Sequence, residues 1–432
     1  GLNNLTSIGG TLGVYGNASL VNLEGLENLS SINGSLWIGS DPYDWDNGNP
    51  SLVNLSGLDN VDHIGGSFII VENDSLECFT GLKGLNSIGG MIMVYKNASL
   101  TSFSGLEGLT SLAGSFLIGV NGCNAYYGNP SLTCLTGLEN LEYLGGNFDI
   151  GGNDSLTSLS GLEKITSING YFKIHGNNSL HSLTGLEGVT FIGDELRIQY
   201  SALKDLSGLD NLYSTGGNLY IRDNDSLTSF SGVDNLNSVG GELQIYGNPS
   251  LISLTGLNDV SSIGGRLHIH YNQALTSIEG IENINSGTIH NLKISHNDAL
   301  SSCDVESICN YLFAPNGDIY INDNANGCNS PEEVEEACET ISISEIIPEE
   351  TFTISPNPLG STTMIQYTLH HNSPVTIKIF DLSGRVVNIP VNEFQQLGGQ
   401  KIIFNVTALP PGVYFCVLKT SEGEQTKKII KL

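Results

Sequence analysis

The sequence predicts an all-β protein: a β-solenoid of stacked, roughly 24-residue leucine-rich coils, followed by a small Ig-like antiparallel β-sandwich. Three observations carry this. An Asn-x-Ser-Leu phrase recurs through residues 1–302 at a spacing of 24. Within each copy apolar residues fall every third position, a period of neither helix nor strand. Beyond residue 350 the repeat gives way to longer alternating runs of strand type.

The phrase begins at Asn17, Asn49, Asn73, Asn97, Asn129, Asn153, Asn177, Tyr200 (degenerate), Asn224, Asn248, Asn272 and Asn297, and the copies from Asn17 and Asn97 carry eight extra residues each. In the best-formed copy, Leu156, Leu159, Leu162, Ile165 and Ile168 each turn one side chain inward from an arc of coil. The run Tyr171 to His175 alternates, so Phe172 and Ile174 should point in, and Tyr171, Lys173 and His175 out. The Gly-Gly or Asn-Gly pair before this strand should supply the positive φ of a tight corner. The Asn after it should satisfy buried backbone groups, turn after turn, as a ladder. One coil cannot bury its own apolar face, but twelve stacked at ~4.8 Å make a continuous core about 58 Å long.

The phrases GLENLSSINGSLWI, GLNSIGGMIMVY and GLNDVSSIGGRLHIH resemble the receptor L-domain class of leucine-rich repeat, over about residues 1–325. That resemblance implies a right-handed coil. It says little of function, because such domains bind many different ligands.

Residues 303–340 read as a cysteine-rich cap. Cys303, Cys309, Cys328 and Cys338 enclose SPEEVEEAC, a short helix with Ser330 as its N-cap. Cys303–Cys328 with Cys309–Cys338 is the favoured pairing of three, and Cys123–Cys134 is a further candidate. Cys78 and Cys416 look unpaired. Metal binding would require tight Cys-x2-Cys spacing, which is absent; disulfides imply an oxidising compartment. Residues 341–350 read as a linker.

Residues 351–432 alternate as six strands: MIQYTL, VTIKIFD, GRVVNI, QKIIFNV, GVYFCVLKT and KKIIKL. Here the phrases SPNPLGSTTMIQYTL, VTIKIFDLSGRVV and LPPGVYFCVLKTSEGEQTKKIIKL resemble the C-terminal sorting domain of type IX secretion substrates in Bacteroidetes. The matching positions are Asn357 and Pro358, then Asp381, Gly384 and Arg385, then Pro411, Gly412 and Tyr414, with Lys427 and Lys428 in the last strand. The resemblance implies a translocon partner, passage across the outer membrane, and release or surface anchoring. No signal peptide is seen, and Gly1 begins mid-repeat, as expected of a mature secreted chain.

Charge separates the two parts. The chain carries a formal net charge of -29, yet residues 1–348 hold 39 acidic and nine basic side chains and the remainder six and seven. A solenoid this acidic argues against nucleic acid as a main partner. No apolar run approaches the roughly 20 residues of a membrane helix.

The outward middle positions of successive strands are Gly13, Trp37, Ile69, Met93, Leu117, Asp149, Lys173, Arg197, Tyr220, Gln244, His268, Lys293 and Tyr320. Trp37, Ile69, Met93 and Leu117 form an apolar row, flanked by Tyr15, Val71, Met91 and Tyr95. Two insertions, near 39–46 with Tyr43 and Trp45 and near 119–126 with Tyr126 beside Tyr127, should bracket it. The row reads as a contact surface for a surface protein or glycan, or as satellite core that the insertions cover. Lys173, Arg197, Arg222, Arg266 and Lys293 read as a surface for an acidic glycan, or as charges offsetting nearby carboxylates.

No catalytic constellation, cofactor fingerprint or metal motif stands out. Asn322, Asn324, Asn326, Gly327 and Glu333 follow an EF-hand-like spacing only weakly. The sequence thus reads as a secreted or cell-surface, non-enzymatic binding or adhesion protein exported through its C-terminal domain. The alternatives are a structural protein assembling end to end, and a polysaccharide-active enzyme with paired carboxylates.

Overall fold

The structure, a computed structural model, describes residues 2–40, 48–121, 126–345, 352–369, 372–421 and 423–432. The chain forms two compact units, Gly1–Glu339 and Thr340–Leu432. The first is a β-solenoid. A 13-stranded parallel sheet is built from strands such as Phe172–Asn177, and an 11-stranded one from two-residue strands such as Ser167–Ile168. Each strand pairs with its equivalent in the next coil.

The three-residue period has a direct cause. Along the arcs, consecutive turns close between residues three apart: Leu82 N–H donates to Phe79 O at 3.1 Å and Leu85 N–H to Leu82 O at 2.9 Å. Every third side chain therefore points inward, and Leu156, Leu159, Leu162, Ile165, Ile168, Phe172 and Ile174 are fully buried. Where phenylalanine replaces leucine or isoleucine, the rings meet across coils. Phe68, Phe79, Phe103, Phe116, Phe148 and Phe172 follow one another at centroid separations of 5.1 to 5.6 Å.

Positive φ is not where the Gly-Gly pairs suggest. It occurs at the arc glycine, for instance Gly161 (φ 114°), and at the residue before the ladder Asn, for instance Gly176 (φ 60°). The paired glycines are required for clearance instead: a Cβ on Gly170 or Gly66 would collide with the preceding coil. The arc glycine also explains much of the acidity. Glu163 Oε1 accepts from the Gly161 N–H at 2.9 Å, and Asp59, Glu107, Glu139, Glu187, Asp210 and Asp234 repeat the contact in other coils.

The asparagine ladder is continuous over most of the solenoid. Asn153 is fully buried. Its Oδ1 accepts from Asn129 N–H at 2.9 Å and from Asn129 Nδ2 at 3.1 Å. Its Nδ2 donates to Ile118 O at 2.9 Å, Gly151 O at 3.1 Å and Asn177 Oδ1 at 3.3 Å. The degenerate copy is placed one residue differently from its sequence reading. Ser201, not Tyr200, pairs with Asn177 and takes the ladder position, donating through Oγ to Asn224 Oδ1 at 2.7 Å. Tyr200 (φ 52°) holds the left-handed corner before it. Serine has no amide to pass the ladder on, and one residue is lost between Ser201 and Leu203.

The solenoid continues into residues 303–340. The strand Ile319–Asn322 joins the main sheet, and the helix Glu306–Phe313 takes the place of an arc, burying Ile308, Tyr311 and Leu312. Asn324 ends the ladder: it accepts from Asn297, its N–H donates to Asn329 Oδ1 at 3.2 Å and its Nδ2 to Cys328 O at 2.9 Å. The EF-hand-like spacing is therefore a ladder terminus, with Glu333 Oε2 accepting from Gly327 and Asn329 N–H. Cys303–Cys328 and Cys309–Cys338 are bonded, with Cα atoms 5.6 and 5.7 Å apart. Cys134, by contrast, is a free thiol, 3.2 Å from Thr136 Oγ1 on the outside of its arc, so the Cys123–Cys134 bridge is not formed. Cys123 lies outside the described residues. The second helix, Pro331–Glu345, is capped by Ser330 Oγ accepting from Glu333 N–H at 3.3 Å. It runs into residues read as linker because nothing breaks a helix before Pro348.

The second unit is an antiparallel sandwich. Thr353–Ser355, Thr362–Leu369 and Gly398–Asn405 form one sheet; Val386–Gln395, Ser373–Asp381, Gly412–Thr420 and Gly423–Lys431 form the other. Ile365, Tyr367, Ile377, Ile379, Cys416, Leu418 and Ile429 fill the space between, and burial pushes the Cys416 thiol up to about 12.

Replacing Asn153 with Ala leaves Asn129 N–H and the Ile118 and Gly151 carbonyls unpaired in the interior. Each orphaned group costs about 1–3 kcal/mol, so the midpoint of denaturant unfolding should fall clearly. Ser201→Asn, which restores an amide to the gap, should leave the midpoint unchanged or raise it.

Candidate functional site

Strand registry places the outward positions in one column: Trp37 beside Ile69, then Met93, Leu117, Asp149, Lys173, Arg197, Tyr220, Gln244, His268, Lys293 and Tyr320. Trp37, Ile69, Met93 and Leu117 are half-buried rather than open to water. Val71 and Tyr95, expected to flank them on the surface, are buried, and burial beside Glu72 pushes the Tyr95 phenol up to about 12. The coils are tightly packed at this strand end, where a Cβ on Gly39 would collide with the Val71 carbonyl.

Of the two insertions expected to bracket the row, the first carries Tyr43 and Trp45, which lie outside the described residues. In the second insertion Val120–Asn121 pairs antiparallel with Tyr126–Tyr127. Tyr126 then leans toward later coils: its ring lies 4.8 Å from His175 and 6.3 Å from Tyr200, against Gly152 and Gly176. That explains why His175, expected outside, is only 3% exposed, with Nε2 held 2.6 Å from Asp149 Oδ1. Tyr127 remains exposed, with Lys96 Nζ 4.8 Å from its ring centroid and 2.6 Å from Glu72.

The sequence reading missed a groove of about 610 Å³ at this corner, lined by Pro50, Glu72, Asp74, Lys96 and Pro130 among others. Its signal is the residue after the ladder Asn, which shrinks to alanine or proline at Ala18, Pro50, Ala98 and Pro130.

Further along, the column becomes charged and aromatic. Glu195 Oε1 lies 2.8 Å from Arg197 Nε and 3.5 Å from Lys173 Nζ; the first pair is close enough for Coulombic attraction but misaligned for a hydrogen bond. Those two cations are offset by a carboxylate. Arg222, Arg266 and Lys293 have none within 4.0 Å among the described residues. Arg222 sits instead over the Tyr246 ring at 5.2 Å, and Lys293 over Tyr320 at 5.5 Å. His268 Nδ1 lies 3.1 Å from Glu242. His270 is 9% exposed and neither ring nitrogen has a hydrogen-bond partner. Burial, and then Lys293, His268, Arg222 and His296, lower its pKa to about 4. Among the described residues no three His, Cys, Asp or Glu side chains converge as a metal site.

In the sandwich each singled-out residue has a structural task. Asn357 clamps the final strand, Nδ2 donating to Lys428 O at 2.9 Å while Oδ1 accepts from Ile430 N–H at 2.9 Å. Pro358 follows it, leading to Leu359, whose N–H donates to Ile430 O at 2.7 Å. Asp381 closes its turn by accepting from Ser383 and Arg385, which hold its carboxyl down to about 2, and Gly384 (φ 79°) completes the bend. Tyr414 donates to Pro410 O at 2.7 Å, pinning the Pro411-Gly412 corner in the manner of a tyrosine corner. Lys427 and Lys428 pair with Cys416 and Phe415 across the last two strands.

Residues 353–432 match the family described as the secretion system C-terminal sorting domain. No curated protein matches the chain. The second unit is thus a type IX sorting domain, which implies that machinery as a partner and export to the outside or the cell surface. No helix among the described residues is long and apolar enough to cross a membrane.

Two outcomes follow. Asn357→Ala should loosen the last strand by roughly 1 kcal/mol per lost bond, read as faster amide exchange in residues 423–432. For His270, the unfolded chain takes up a proton near pH 6.5 that the folded one refuses until about 4. Stability should therefore fall with pH across that window and level off below it. His270→Phe should flatten this part of the unfolding-midpoint profile.

Proposed function

We propose that the chain is a secreted or cell-surface, non-enzymatic binding or adhesion protein, with a receptor L-domain-like solenoid as its recognition scaffold. One observation carries this reading. The inward positions and, Ser201 apart, the ladder positions repeat the same few residue types from coil to coil, because packing and hydrogen bonding demand them. The outward column does not: it runs through tryptophan, methionine, aspartate, lysine, arginine, tyrosine and histidine in strict register. Side chains freed from the fold and fixed on a rigid sheet bind with little ordering cost. A sorting domain that sends the scaffold outside the cell suits an extracellular ligand.

The test uses the intact chain on arrays of polysaccharides and envelope proteins, beside two variants. One carries Trp37→Thr, Ile69→Thr and Met93→Thr; the other carries Lys173→Thr, Arg222→Thr and Lys293→Thr. Any ligand of the wild type should be lost by at least one variant with its unfolding transition intact. A ligand retained by both would place recognition elsewhere. Soluble products from a bound polysaccharide would replace the reading with an enzymatic one.

A further inference from the structure

Charge and ring geometry coincide on the four strands Leu219–Arg222, Leu243–Tyr246, Arg266–His270 and Asn291–Ser295, which are adjacent in the main sheet, and on the corners after them. Three of the nine basic side chains of residues 1–348 lie here: Lys293 in the outward column, and Arg222 and Arg266 two residues to either side of it, none with a carboxylate within 4.0 Å among the described residues. Beside them Tyr246, His270, Tyr271 and His296 form an unbroken run of rings, with centroids 4.6, 5.6 and 4.5 Å apart in that order.

We propose that the face formed by Arg222, Tyr246, Arg266, Tyr271 and Lys293 binds a polyanionic glycan, a chain of pyranose sugars bearing carboxylate or sulfate groups. The proposal rests on the reading of the solenoid as a binding scaffold and names its ligand class.

The cations supply the first argument. In residues 1–348, with 39 acidic side chains, three cations spread over four adjacent strands with no carboxylate within 4.0 Å among the described residues attract an anion that the rest of the surface repels. Guanidinium and ammonium groups are matched to carboxylate and sulfate oxygens. The rings supply the second. A pyranose presents an apolar face of C–H bonds, and the stacked pair Tyr271 and His296 (interplanar angle 28°), with Tyr246 turned edge-on to Tyr271, offers an aromatic surface to receive it.

The backbone sets where two of the rings stand. Tyr271 (φ 59°) and His296 (φ 57°) are left-handed, as are Glu72, Lys96, Tyr200, Asp223 and Asp323 at the same corner of other coils, where Gly152, Gly176 and Gly247 also occur. The corner accepts many residue types, and here two successive coils present rings from it. His270, 9% exposed among these rings, has no partner for either ring nitrogen, and the Lys293 and Arg222 cations lie near enough to oppose its protonation. A bound polyanion offers those cations partners.

Sugar is favoured over single-stranded DNA by its hydroxyls: Glu242, beside His268, and Asp323, 3.4 Å from His296, are placed to accept hydrogen bonds from sugar hydroxyls, which the phosphodiester backbone of DNA lacks.

The experiment measures binding of the intact chain to polygalacturonate and to dextran sulfate, with neutral galactan and dextran as controls and the oligonucleotide dT20 as the competing class. Binding should be seen to one or both anionic polymers and be at least tenfold weaker to the neutral ones. Arg222→Gln with Lys293→Gln should weaken it at least tenfold, and Lys173→Gln, whose cation is already paired with Glu195, should not. Tyr271→Asn is the discriminating variant. Asparagine suits the left-handed corner, so the melting temperature should hold or rise while affinity falls. Equal binding of neutral polymers, tighter binding of dT20, or full affinity in Tyr271→Asn and the double variant would overturn the inference. Binding of other ligands through the Trp37 end, with polyanions ignored, would remove this inference alone. A wild-type chain that binds nothing on the arrays would remove the scaffold reading as well.

Discussion

The structure depends on a column of buried asparagine side chains. A coil of this kind must turn a corner after each strand, and the corner leaves backbone groups facing the interior. An unpaired amide or carbonyl there costs about 1–3 kcal/mol. Asparagine carries both a donor and an acceptor, so one residue type closes every corner and joins it to the next. That bond pattern fixes where each coil must return, because the next asparagine must arrive directly above the last, whether 24 or 32 residues on. The return point then fixes strand register, and register fixes which side chains share a column. At Ser201 the relay is interrupted, and there the coil is one residue short.

Composition follows from the same demand. The glycines clear the preceding coil or hold a positive φ, and aspartate or glutamate two residues beyond the arc glycine caps its N–H. Much of the acidity of the solenoid is thus turn chemistry copied coil by coil, and the sorting domain, which has no such turns, is nearly neutral. Against that acidic background a few unpaired cations acquire meaning that they would lack on an ordinary surface. The division of labour is clear: ladder and inward arc positions are committed to the fold, and the outward column and the corner beside the ladder carry what differs from coil to coil.

Sequence reasoning reached the repeat, the outward register, the two cap disulfides and the sorting domain, since each rests on spacing along the chain. It failed where the answer depends on what an adjacent coil does. Val71, Tyr95, His175 and His270 alternate outward as expected, yet all four are buried, His175 against Tyr126 and His270 among neighbouring rings. The Gly-Gly pairs suggested positive φ, but the constraint on them is a collision with the coil before. The insertion with Tyr126 was expected to flank the apolar row, but the Tyr126 ring lies against His175 in a later coil, which no local pattern encodes. Ser201 was misassigned by one residue because the deletion falls after the ladder position.

Hydrogen exchange across the intact solenoid tests the account most directly. If the buried asparagine column couples the coils, the amides of Asn153, Asn177, Asn224 and Asn248 should exchange only through large-scale opening, with protection lowest around Ser201. Ladder amides that exchange as fast as the outer arcs of their own coils, or protection that passes Ser201 without a minimum, would contradict it.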